Sequence, residues 1–384
     1  MSARPKSCSR SPSRDEAASR DVVRLNHFQL GSPEVTLYDR RAFLGVSAGG
    51  ALLCTIGGEQ VRLESPGDAV QADAAARRAA RPTPDPAAGE LRDFPTPQPA
   101  PGGAIREYWI QARTVAWDIV PSHRDEWHDL SIRGAQRFRA LTYQLMNAGF
   151  ASPAAPRAIP GPTLTGEVGD LLVVHFRNAD EELGQPLTMH PHGVRYNPEY
   201  DGTYMGDFTR AGGFIEPGEE FTYRWECTPD SVGAWPYHDH GPNHALNTFR
   251  GLFGAIVVRP KGARPPDVEV PLFLHSLTPP VTGLRRAFQT INGRSAAGNT
   301  PTIRSRVGQD VAMHVFGMNN DFHNFHIHGH RWKDSGGAFV DAPTVGPNET
   351  VTARFTEDNP GRWLYHCHVF SHQDGMAGWY VVSP

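Results

Sequence analysis

Residues 363–376 read Trp363-Leu364-Tyr365-His366-Cys367-His368-Val369-Phe370-Ser371-His372-Gln373-Asp374-Gly375-Met376. The aromatic and aliphatic residues at its start predict a β-strand, and successive side chains on a strand point to opposite faces. His366 and His368 then face one way and Cys367 the other, so one short strand serves two metal sites with the Cys peptide between them. His372 follows Cys367 by five residues, and Met376 follows His372 by four. A thiolate, an imidazole and a thioether this close in sequence, completed by one distant His, form the ligand set of a blue-copper electron-transfer site. The bland alternative is a buried Cys flanked by core histidines. It loses ground because His-x-His pairs recur three times upstream.

Working outward from this stretch, the chain repeats itself. Gly169-Asp-Leu-Leu-Val-Val-His-Phe answers to Gly308-Gln-Asp-Val-Ala-Met-His-Val, and His190-Pro-His192-Gly193 to His326-Ile-His328-Gly329. Trp235-Pro-Tyr-His238-Asp239-His240 answers to Trp363-Leu-Tyr-His366-Cys367-His368, and Gly251-Leu-Phe-Gly-Ala-Ile-Val-Val to Gly375-Met-Ala-Gly-Trp-Tyr-Val-Val. His328 follows His192 by 136 residues and His366 follows His238 by 128, so each copy has the size of one small β-sandwich. The expected domains are 105–262 and 263–384. Both read as short β-like runs broken by Gly, Pro and Asn, with no long helical period competing, so the class is all-β. Examples are 108–120, 171–176, 221–225, 252–258, 270–274, 311–316, 351–355 and 379–382.

Residues 1–104 read differently. Arg40-Arg41-Ala42-Phe43-Leu44, followed by the short apolar run 46–56, resembles a twin-arginine export signal, which places the mature protein in the periplasm or outside the cell. That run is too short to span a membrane as a helix. Residues 72–103, rich in Ala, Pro and Arg, are expected as a disordered linker. The formal charge of -4 over 384 residues gives no nucleic-acid or polybasic membrane signal. Of four cysteines, only Cys227 and Cys367 fall in the folded part, and a metal claims the latter, so a disulfide framework is not expected.

Histidine is the outlier at 18, ten of them in four short motifs. His190 and His192, His238 and His240, His326 and His328, His366 and His368 supply eight imidazoles, each pair projecting from one strand face. Eight neutral imidazoles are costly to bury together without a cation, and imidazole suits copper, zinc, iron or nickel alike.

With all four motifs in order over about residues 105–384, the chain resembles the two-domain, laccase-like multicopper oxidases. The resemblance implies two cupredoxin-like Greek-key domains and four copper ions per chain: one type 1, one type 2 and a type 3 pair. It implies that His190 and His326 hold the type 2 copper. His192, His238, His240, His328, His366 and His368 would hold the type 3 pair. His323, in His323-Asn-Phe-His326, matches the remote type 1 ligand beside Cys367 and His372. The family places the axial residue five after the second type 1 His, which is Ala377 here; Met376, one earlier, is the favoured ligand. Asp201 is by resemblance a carboxylate beside the trinuclear cluster, and equally an ordinary turn residue before Gly202. Asp239 stands where Cys367 stands in the other copy, so the first domain is expected to lack a blue site. The resemblance also implies a homotrimer, with each cluster assembled between the first domain of one subunit and the second of the next. Pro191 removes a backbone donor and implies an edge position for the first pair.

The implied activity is one-electron oxidation of phenols or aromatic amines at the type 1 copper, coupled to reduction of dioxygen to water. A cuprous or ferrous oxidase is the enzymatic alternative; seven Met and no Met-rich insert weigh against it. Copper nitrite reductase needs its blue site in the first domain, where Asp239 stands. A non-enzymatic electron carrier or copper-sequestering protein would leave the eight cluster ligands without a purpose.

Overall fold

The computed structural model describes residues 94–384 and, before them, the backbone of one antiparallel strand pair, Leu52–Ile56 with Glu59–Leu63. The Arg40-Arg41 motif lies outside the described residues.

From residue 105 the chain builds two sandwiches of the same plan. In the first, strands Glu220–Glu226, Leu171–Asn178, Ile105–Asp118 and Arg137–Met146 form one sheet in that order. Leu164–Glu167, Phe253–Arg259, Gly233–His238 and His190–Pro191 form the other. In the second, Phe288–Ile291, Val268–Leu277, Asp310–Gly317 and Thr350–Thr356 make one sheet. The other runs Ile303–Arg306, Ala377–Ser383, Gly361–Cys367, His323–Ile327 and Thr344–Val345. Helix among the described residues is confined to short turns such as His244–Phe249, and none is long and apolar enough to cross a membrane. Every expected run falls within or across an observed strand. The ten-residue Arg137–Met146 strand was not foreseen: with seven buried positions it lacks the clean alternation that marks a half-buried strand.

Residues 94–104 depart from the linker expectation. Their peptide groups are hydrogen-bonded along the first domain: Pro95 and Pro97 carbonyls accept from Asn197 and Arg224, and Ala100 N–H donates to Gly169. Proline-rich composition had masked an ordered strap, because extended backbone needs only side-chain and loop partners rather than a sheet ladder to be held.

Each sandwich encloses its own core. Trp225, Tyr223, Tyr237 and Phe176 are fully buried in the first, and Phe325, Tyr365, Trp332 and Tyr380 nearly so in the second. A third cluster joins them, with Phe253 stacked on Phe273 at 4.9 Å and Phe273 on Phe316 at 4.3 Å. Each such side chain contributes roughly 1.5–3 kcal/mol by leaving water, so the seam between the domains is itself hydrophobic core.

The duplication is exact enough to set the site. His190 lies across from His238 in one copy, and His326 across from His366 in the other. The glycine closing each His-x-His-Gly is required by its surroundings. Gly193 and Gly329 have φ of 71° and 73°, and a Cβ at Gly193 would sit 2.0 Å from the Trp235 ring. Pro191 occupies the edge strand of its sheet, where a missing N–H costs no ladder bond.

Candidate metal centres

Strand alternation places Cys367 on the core side of the second domain, where it meets two imidazoles. Nδ1 of His323 and of His372 lie 3.8 Å and 3.7 Å from the Cys367 sulfur, and all three residues are buried. Nε2 of His323 donates to Asn319 Oδ1 at 2.8 Å, which leaves Nδ1 as the lone-pair nitrogen turned to the sulfur. Met376 is fully buried in the same core as Cys367, and its carbonyl accepts the Cys367 N–H. Ala377, the alternative axial position, pairs with His366 on the neighbouring strand and has no donor atom to offer. Burial pushes His323 down to about 4 and lowers His372, so both rings are neutral donors at ordinary pH. Burial also raises the Cys367 thiol, against the backbone N–H groups of Asn324 and Val369 aimed at it. A bound cation reverses that preference by taking the thiolate.

On the other face of the same strand, donor atoms of His326, His328 and His366 lie within 4.8 Å of one another. The His368 ring centroid is 5.6 Å from that of His326 and 5.3 Å from that of His366. The first domain repeats the arrangement. His190 lies 5.1 Å, 5.6 Å and 5.0 Å, between centroids, from His192, His238 and His240.

The protein presets the nitrogen that faces each site. Nδ1 of His190, His238, His326 and His366 donates to the carbonyls of Asp201, Asp239, Asp341 and Cys367 at 2.7–2.9 Å. Their Nε2 atoms therefore carry lone pairs. Two of these point at another imidazole nitrogen: His238 at His192 Nε2 across 3.0 Å, and His366 at His328 Nε2 across 3.1 Å. Nδ1 of His240 is buried with no hydrogen-bond partner. Burial takes His192 and His240 down to about 4, His238 down to about 3 and His366 down to about 4. Neutral rings with converging, unsatisfied nitrogens fit a soft-to-borderline cation such as copper. Among the described residues, no ring contact or hydrogen bond joins the first quartet to the second.

Asp201 touches the site through His190. Its carbonyl accepts from Nδ1 at 2.7 Å, and its carboxylate lies 3.3 Å from the same atom. Burial alone would raise this carboxyl, but hydrogen bonds from His190 and Thr203 outweigh it and hold it below its usual value. Tyr196 packs on the His190 ring at 5.8 Å, its phenol pushed up to about 12 by burial. Asp239 points away from the imidazoles, as alternation requires. It is fully buried, accepts from Thr188 N–H and Asn247 Nδ2, and is pushed up to about 6 by burial. Cys227 is a free, buried thiol raised to about 12 by burial.

Several residues at the site carry no motif and were missed in the sequence. Asn319 and Asp341 orient ligands by single hydrogen bonds from outside the His pairs. Trp127, from the first domain, lies 5.9 Å from the His366 ring. His330, two residues past His328, is buried and bonded to the His328 carbonyl and to Glu357.

Family models described as multicopper oxidase match residues 154–263 and 265–384. A probable nitrite reductase-hydroxylamine oxidoreductase fusion protein of Kuenenia stuttgartiensis is 30% identical over 244 residues, which is 59% of this chain and 28% of that protein. A ferroxidase of Homo sapiens is 29% identical over 348 residues, 73% of this chain and 30% of its own length. The chain thus spans under a third of these relatives. A crystal structure of a multicopper oxidase superposes with a TM-score of 0.56 at 25% identity, covering 74% of this chain and 92% of that one.

Proposed function

Because the chain belongs to the multicopper oxidase family, and so to the copper oxidoreductases, we propose that it is a laccase-type oxidase. It would take single electrons from phenols or aromatic amines and pass them to dioxygen. The observation that carries this reading is the strand around Cys367: its thiol faces His323 and His372, while His366 and His368, one peptide away on either side, face the second quartet. Two metal centres are thereby joined by one covalent segment, an arrangement that serves transfer between them.

On this reading His323, Cys367, His372 and Met376 hold a type 1 copper. His190 and His326 hold the type 2 ion, and His192, His238, His240, His328, His366 and His368 the type 3 pair. When bound, copper supplies one-electron redox chemistry at the thiolate and the reducing equivalents for dioxygen at the cluster. The chain's own contribution is to keep His192, His238, His240, His323 and His366 neutral by burial and to fix the tautomers of His190, His238, His326 and His366 through backbone carbonyls. It also keeps Asp201 charged beside His190, where a carboxylate can hand protons inward. Asp239 in place of Cys leaves the first domain without a thiolate.

Eight imidazoles are divided four and four between two domains of one chain, and His328 and His368 are exposed. A homotrimer in which the first domain of one subunit meets the second domain of the next would close three complete clusters. Export by the Arg40-Arg41 signal would place this assembly outside the cytoplasm.

The similarity to a ferroxidase supports a second reading, oxidation of ferrous ion at the same thiolate site. Copper content, visible and EPR spectra, and mass in solution test the proposal together. An intense blue band, two distinct cupric signals and a trimer that consumes dioxygen with phenols support it. Dioxygen uptake with ferrous ion and none with phenols sinks the laccase assignment in favour of the metal oxidase. A blue monomer with one copper sinks the cluster.

A further inference from the structure

A cavity of about 450 Å³ opens between residues 125–133 of the first domain and the turn that carries His372. Resting on the laccase-type reading, we infer that this cavity is the donor site and that it takes a phenol bearing a carboxylate. Its walls include Asp125, His128, Arg133, Arg286, Gln289 and Asp374. The cavity adjoins the thiolate centre through the main chain. Asp374 and Gly375 line it, and the His372 carbonyl accepts the N–H groups of Gly375 and Met376.

Two features give the site its chemistry. Asp125 is buried, with one carboxylate oxygen on Trp127 N–H and the other 2.7 Å from His128 Nδ1. A carboxylate only accepts, so Nδ1 carries the proton and His128 Nε2 is a lone pair available to a phenolic O–H. Some arginines of the chain are paired with carboxylates, as Arg137 is with Asp118 and Arg354 with Asp310. Arg133 has no such partner among the described residues. Arg286 lies only over the Phe288 ring, at 4.5 Å. Two free guanidiniums on one cavity bind a carboxylate with directed, charge-assisted hydrogen bonds. Asp125 is held by Trp127 and His128, and no hydrogen bond or ion pair joins it to either arginine among the described residues. Asp374 does face the cavity as a carboxylate, on the turn with His372, and so sets the acid group of the donor away from the copper end.

In the step this geometry serves, the phenol O–H bond breaks. Its proton goes to His128 Nε2, and a copper held by His323, Cys367 and His372 would supply the one-electron acceptor, so that the donor would leave as a neutral phenoxyl radical.

The test uses the full-length protein and two matched pairs: 4-methoxybenzoate with its methyl ester for binding by calorimetry, and 4-hydroxy-3,5-dimethoxybenzoate with its methyl ester for turnover. We expect the acid of each pair to be favoured by about tenfold or more. The ratio should collapse toward one in the Arg133→Gln/Arg286→Gln double variant and persist in Arg137→Gln. His128→Gln should keep acid binding and lower kcat rather than raise KM. Equal binding of acid and ester, or a preference that survives the double variant, overturns the inference. If the ester is still oxidised, the laccase reading stands. If the blue, copper-loaded protein binds the acid but oxidises neither phenol, the laccase reading falls with the donor role.

Discussion

The side-chain oxygen of Asn319 accepts a hydrogen bond from His323 Nε2 at 2.8 Å, and Asn319 in turn donates to Ser276 and Asp321. This fixes which nitrogen of His323 faces Cys367 before any metal arrives. Groups that orient a ligand in this way typically contribute 10–100-fold to metal affinity. Asn319→Ala should therefore weaken type 1 copper by about that factor and leave the His quartets loaded. Copper titration followed by the visible band reads the loss; an unchanged affinity means packing alone holds His323.

Cys367→Ser removes the thiolate without changing the strand. On the proposed laccase-type reading, the variant should lose the intense visible absorption and one copper per chain relative to wild type, and with them any turnover of phenols. Because His366 and His368 point to the opposite face, the quartet metals should remain. Metal analysis decides this: loss of every copper would show that the two faces of the strand are not independent.

How much of this site was readable in advance follows from how local each feature is. His-x-His spacing in extended chain places both rings on one face, so the quartets and the opposed Cys367 were legible, as was the edge position of Pro191, although each strand ends at or one residue after the first His of its pair. Asn319, Asp341 and the Asp125–His128 pair were not. Asp341 meets His326 from fifteen residues away through one carbonyl, and although Asn319 is four residues from His323 and Asp125 three from His128, no motif spacing marks either as a partner. The strap at 94–104 was misread because composition reports what a segment can do alone, and here its partners are loops of the first domain. The long Arg137–Met146 strand escaped for the opposite reason: buried on both faces, it has no alternation to read.

Stability toward acid should depend on Asp170. Burial alone would raise its carboxyl, but Ala104 and Glu167 N–H groups and the Arg106 guanidinium together hold it below its usual value. A carboxyl depressed on folding contributes stability above its unfolded value, about 3.9, and loses it as pH falls through the folded value. Asp170→Ala leaves those donors without an acceptor and should cost about 1–3 kcal/mol near neutral pH. The urea midpoint of wild type should then drop more steeply than that of the variant as pH is taken below 4. Parallel curves would remove Asp170 from the acid response.

Behind the second His pair, His330 donates Nδ1–H to the His328 carbonyl while Nε2 faces both oxygens of Glu357 at 3.1 Å and 3.2 Å. Tyr380 hydroxyl and Asn359 N–H also donate to the same carboxylate. The pair is almost fully buried, with side-chain exposures of 4% and 0%. The first domain has Val194 where this one has His330, so the duplication folds without the pair in one copy. Breaking a buried pair from one side is costly, whereas replacing both partners by apolar groups is often neutral. Glu357→Ala should therefore lower stability by about 3–5 kcal/mol, and His330→Leu/Glu357→Met should recover most of it in urea denaturation. If the double variant is as unstable as the single, the pair is needed to place the His328 carbonyl. The copper affinity of the second quartet should then fall with it.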